Sequence, residues 1–216
     1  MSAPKDLRDA ISRDLKPTRP LRPPFIRALV LVPLAAAIVL SVPGLRFFRS
    51  DMAALGFLRA WGFSIGQALG GLVIIAIALR ESIPGRSLSR SAIGWTFAIG
   101  LALPFALLAV TASAFDVGPD PGHALAEGAA CFRVSAISSI PALLAAAWLA
   151  ARAFPLRPAL AGALYGLGCG LIADAGLRLF CEYTVPSHVL FGHGGAIVGA
   201  MAVGAVVARS VGGGRR

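Results

Sequence analysis

Six apolar stretches, at about 26–46, 57–79, 92–115, 134–153, 158–180 and 187–208, alternate with short polar segments along the chain. Each is roughly 18 to 25 residues long, which as an α-helix crosses ~30 Å of hydrocarbon. A helix satisfies its own backbone hydrogen bonds, so repeated stretches of this length predict helices that cross a bilayer. The expected fold is all-α, a polytopic membrane bundle of six transmembrane helices. Three regions follow: a cytoplasmic arm and Pro-rich tether over 1–25, the membrane domain over 26–208 and a cytoplasmic tail over 209–216. The polar segment before the first stretch exceeds the n-region of a secretory signal, and five more stretches come after it. The first span is therefore expected to stay uncleaved.

Composition strengthens this picture. Of 216 residues, 57% are hydrophobic and 14% charged, and the mean hydropathy is +0.79, outside the balance of water-soluble domains. The net charge of +10 does not gather into a basic patch with interleaved aromatics, so no direct contact with nucleic acid is expected. The basic residues flank the spans instead. Fifteen of the 20 fall on the side that holds the two termini, and five (Arg46, Arg49, Arg59, Arg133 and Arg178) on the other. The positive-inside rule then puts both termini in the cytoplasm.

Glycines recur every four residues at Gly62, Gly66 and Gly70 and again at Gly162, Gly166 and Gly170. Such stripes let helices approach closely in lipid, so the second and fifth spans are expected inside the bundle. The chain has no phosphate-binding Gly loop, HExxH, CxxC or nucleophile elbow, and neither catalysis nor a cofactor is expected. Asp174 is the one acid expected within a span, and Arg178, one turn on, is its expected partner.

The cysteines carry more information. Cys169 lies mid-span, where a thiol behaves as a small apolar side chain. Cys131 and Cys181 are each 25 residues from position 156, the middle of the short turn between the fourth and fifth spans. Equal helical rise puts both at one depth, on the outer face of adjacent helices. Exposed thiols so placed are open to redox sensing, a static disulfide, a metal site or no pairing at all. Metal binding there would draw on Cys131, Cys181 and His188, with His193 and His123 also on that side. Without a close-spaced ligand motif it ranks behind a redox pair.

The N-terminal arm is the second unusual feature. Leu7, Ile11 and Leu15 recur every four positions among charged residues, a short amphipathic helix with a narrow apolar stripe. Alone it is near the lower limit of helix stability in water, and its three interleaved acids fit a protein groove better than an anionic lipid surface. Pro17, Pro20, Pro23 and Pro24 then enforce an extended tether.

Several segments together resemble the NrsF-type anti-sigma-F factors: DLRDAISRDLKPTRPLRPP from Asp6, SIPGR at Ser82–Arg86, ACFRVSAISSIPALL from Ala130, PLRPALAGAL from Pro155 and LRLFCEYTVPSHVLFGHGGAI from Leu177. The resemblance covers nearly the whole chain. It implies a bacterial inner-membrane, multi-pass protein that holds an extracytoplasmic-function sigma factor inactive and releases it under heavy-metal or oxidative stress. It also implies that the family's paired cysteines are Cys131 and Cys181. After Cys181 the chain reads Glu182, Tyr183, Thr184, Val185, Pro186, whereas members of that family often continue with a Pro and acidic residues. The rival reading from another class is a small six-span transporter of an ion or solute, which an internal repeat would favour; the two halves show no convincing one.

Overall fold

The structure is a computed structural model and describes residues 5–14, 20–112 and 124–213. Among these residues there is no strand, and six helices are long and apolar enough to cross a membrane. They are the first span Pro24–Leu45, the second Met52–Glu81, the third Arg90–Leu107, the fourth Ala126–Ala151, the fifth Pro158–Leu177 and the sixth Pro186–Val211. The expected spans are all present with shifted ends. The fourth begins at Ala126 and not near residue 134, because Glu127 and Arg133 are carried on the helix itself. Cys131 consequently stands on a helical turn, and Glu127, with Glu81 at the end of the second span, joins Asp174 as an acid within a span.

The fifth span is the axis of the bundle, with almost every residue from Ala161 to Leu177 buried. Its small residues explain why. Without a hydrophobic drive between helices in lipid, contact depends on close backbone approach. A Cβ placed on Gly162 or Gly166 would collide with the carbonyls of Gly204 and Ala200 on the sixth span, and one on Gly168 would stand 2.5 Å from the Gly71 carbonyl oxygen on the second. The expected stripe holds for the fifth span but not for the second. Gly66 faces open space, Gly62 meets only Leu58 of its own helix and Gly70 meets the Leu103 side chain of the third span at 3.2 Å, whereas Gly71, off that stripe, makes the backbone contact with the fifth.

Around this axis Ile75, Leu79, Ala146, Leu164, Tyr165 and Ile172 belong to the main core. Leu69, Trp95, Ile99, Leu144, Trp148 and Val206 point outward and are exposed, as helices that are apolar on every side require when their outer solvent is lipid.

Polar clasps hold the two ends. At the end where the arm enters, the Arg157 guanidinium pairs with the buried Glu81 carboxylate at 2.6 Å, and the other Glu81 oxygen accepts the Leu88 N–H at 2.7 Å. Arg27 there donates to the Leu149 carbonyl, tying the first span to the fourth. At the opposite end Arg49 grips Asp51 at 2.5 and 2.7 Å, and the Arg49 N–H donates to the Leu179 carbonyl. The Ser50 hydroxyl donates to Glu182 at 2.7 Å.

The arm is helical over Lys5–Asp14, with Leu7 and Ile11 each 52% exposed. Leu15 and His123 lie outside the described residues.

Candidate metal and thiol site

The fourth span carries Cys131 past the end of the fifth, where the helix stops at Leu177 and the chain turns. The Cys181 N–H closes that turn on the Leu177 carbonyl at 2.7 Å. The two sulfurs lie 3.7 Å apart, so the equal depth expected from counting is met. The expected exposure is not: Cys131 is 5% and Cys181 7% accessible, packed with Val42 and Leu177. Val134, Phe180 and Tyr183 also pack against the cluster that holds both cysteines. A cleft lined by Glu127, Phe180, Glu182 and Tyr183, with Arg46 also at its wall, reaches both.

The sixth span supplies two more side chains. Val189–Gly194 winds as a π-helix, with the Gly195 N–H bonding to the Leu190 carbonyl. Five residues of α-helix turn a side chain by about 140° from its starting face, whereas i→i+5 pairing stacks residue i near residue i+5. His188 and His193 are five apart and, being so stacked, turn to one side with ring centroids 5.7 Å apart. His188 Nε2 is 3.3 Å from the Cys181 sulfur. One donor atom from each of Cys131, Cys181, His188 and His193 lies within 4.8 Å of the other three, and all four residues are buried.

Behind the histidines stands Asp174, wholly buried. Its Oδ1 is 2.7 Å from His193 Nδ1, and its Oδ2 accepts from Gln67 Nε2 at 2.7 Å. The expected Asp174–Arg178 pair is thus replaced. Arg178 sends its guanidinium to the Pro104 carbonyl at 3.4 Å, while Asp174 turns inward to partners from the second and sixth spans. A buried carboxylate needs such partners, and intramembrane polar groups find one another across helices. Four buried polar atoms nearby have no hydrogen-bond partner: His193 Nε2, His188 Nδ1, Gln67 Oε1 and the Ser64 hydroxyl.

The hydrogen bond from Cys131 holds the Cys181 thiol well below its usual range, helped by His188 and His193 and opposed by burial. That arrangement favours a thiolate at Cys181, the form that binds metal or attacks an oxidant. Cys169, in contrast, is fully buried in the main core and belongs to no part of this cluster.

The described residues thus form a bundle of six membrane-length helices with a buried Cys–Cys–His–His cluster at one end and an exposed amphipathic helix before the first span. A comparison with protein families gives it a place. The model of NrsF, negative regulator of sigma F, matches residues 11–211, and the chain belongs to that family. Its partner is accordingly a sigma factor. No curated protein and no solved structure matches the chain.

Proposed function

We propose that this chain is an inner-membrane anti-sigma factor that holds an extracytoplasmic-function sigma factor inactive on the cytoplasmic side. It lets the factor go when heavy metals or oxidants reach Cys131 and Cys181 on the other side. The approach of the two sulfurs to 3.7 Å, at the bundle end remote from the arm, carries this reading. The arm docks the sigma factor through Leu7, Ile11 and Leu15, of which the first two are exposed. Both termini lie in the cytoplasm.

Coupling between the ends requires two bundle states that the stress stabilises unequally. Oxidation would join the sulfurs, with two protons and two electrons passing to a peroxide-class oxidant. Metal capture would draw both thiolates onto one ion. Either change acts on the contact of the fourth span with the segment between the fifth and sixth.

The reading is tested by purifying the full chain from native membranes in detergent. An extracytoplasmic-function sigma factor should co-purify and be released by cadmium or peroxide. Absence of any sigma factor, or one that stays bound after both treatments, contradicts it.

A further inference from the structure

We propose that Cys131, Cys181, His188 and His193 form one tetrahedral site for a divalent cation of the zinc and cadmium class. In this site Asp174 is the positioning residue that aims His193. The inference deepens the thiol-switch reading, because it names the ligand class of that site and adds two histidines and an acid to the two cysteines.

Geometry comes first. Zinc–sulfur bonds of about 2.3 Å at tetrahedral angles put two thiolates about 3.8 Å apart, and the Cys131 and Cys181 sulfurs stand at 3.7 Å. A disulfide needs about 2.05 Å, so the present spacing suits a shared ion better than a bond. His188 Nε2, 3.3 Å from the Cys181 sulfur, is close to the nitrogen–sulfur edge of about 3.5 Å in the same tetrahedron.

The hydrogen-bond pattern is independent of those distances. His193 Nδ1 is bonded to the Asp174 carboxylate at 2.7 Å. A carboxylate only accepts, so the proton sits on Nδ1 and, in the neutral ring, Nε2 presents a lone pair. That Nε2 is buried without a hydrogen-bond partner. A carboxylate behind a histidine whose far nitrogen is free is the usual support of a metal-ligating imidazole.

The charges also balance. With M²⁺ bound, two thiolates, two neutral imidazoles and one dication make a neutral centre suited to a low-dielectric setting, any protons on these ligands being released on binding. Glu127 and Glu182 line the cleft that leads to the sulfurs and favour entry of a cation, although Arg46 in the same wall opposes it. Because Asp174 also accepts from Gln67, an ion on His193 is linked by two hydrogen bonds to the second span.

The test uses the full chain in detergent, stripped with a chelator and titrated with Co²⁺, Zn²⁺ and Cd²⁺. One ion per chain should bind, with the intense visible bands of tetrahedral thiolate-bound cobalt and the ultraviolet thiolate-to-cadmium band. Cys131→Ser should diminish the cadmium band, and Cys131→Ser with Cys181→Ser should abolish it. His193→Ala should weaken zinc at least tenfold. Asp174→Asn should weaken it roughly 10- to 100-fold while keeping a tetrahedral cobalt spectrum, which a merely structural acid would not do. Failure of the wild-type chain to bind, an octahedral cobalt spectrum, or affinity indifferent to His193→Ala overturns the proposal. These readouts need no sigma factor. A chain that binds no metal yet loses its stress response without Cys131 and Cys181 sinks the metal site alone, and one that binds metal but never meets a sigma factor sinks only the function.

Discussion

A methyl group on Gly192 would stand 2.9 Å from the Gly128 carbonyl oxygen and 3.2 Å from the Cys131 Cβ, so the sixth span meets the fourth backbone-to-backbone beside the first of the two thiols. Gly192→Ala must push these helices apart, at a strain of about 1–3 kcal/mol. Since His188 and His193 flank Gly192, the shift separates them from Cys131. The variant is expected to insert normally and to need several-fold more cadmium for half-maximal release of the sigma factor. An unchanged dose response in a stress reporter would show that this crossing does not set the site.

The two glycine stripes make opposite predictions. Gly166→Leu drives a side chain into the Ala200 carbonyl of the sixth span, so loss of monodisperse protein, or a fall of several degrees in its melting midpoint in detergent, is expected. Gly66→Ala meets nothing within 4 Å and is expected to leave that midpoint unchanged or slightly raised, as Ala favours helix over Gly. Size-exclusion profiles and thermal scans of both variants decide it.

The arm's exposed stripe predicts a different phenotype. Burying Leu7 and Ile11 in a partner groove contributes roughly 1.5 to 3 kcal/mol each before ordering costs. Leu7→Asp with Ile11→Asp is therefore expected to weaken sigma-factor binding by at least tenfold and to switch on its target genes without stress. Undiminished co-purification would move the docking site elsewhere.

The 15-to-5 division of basic residues predicts a cytoplasmic C-terminus and an outer loop around Pro119. Reporter fusions at Arg216 and in that loop are expected to be active only in the cytoplasm and only in the periplasm, respectively. The reverse pattern would put the cysteine cluster on the cytoplasmic side.

Much of this was legible in the sequence, because bilayer thickness fixes helix length and a constant rise per residue fixes depth. The six spans followed from the first, and the meeting of Cys131 with Cys181 from the second. Local spacing failed where packing between helices decides. Asp174 has Arg178 at i+4, yet it bonds His193 and Gln67, which only the fold brings near. His193 was visible as an outer-end histidine, but α-helical geometry turns it away from His188; the π-helical turn that aligns them left no signal beyond Gly192, Gly194 and Gly195. The burial of the cysteines was missed for a related reason. Glu127 and Arg133 read as loop residues, although at the end of a span they extend the helix that carries Cys131, so that this thiol packs within the bundle end against Val42 and Leu177.

The central claim is that stress reaches the sigma factor through Cys131 and Cys181. Ser nearly preserves the volume of Cys and removes its thiolate chemistry, so the Cys131→Ser, Cys181→Ser double variant is expected to insert and to keep its partner bound. The decisive measurement is a sigma-dependent reporter under cadmium and under peroxide, in wild type, in the double variant and in Cys169→Ser. The account predicts full induction in wild type and Cys169→Ser and none in the double variant; induction of the double variant to the wild-type level would contradict it.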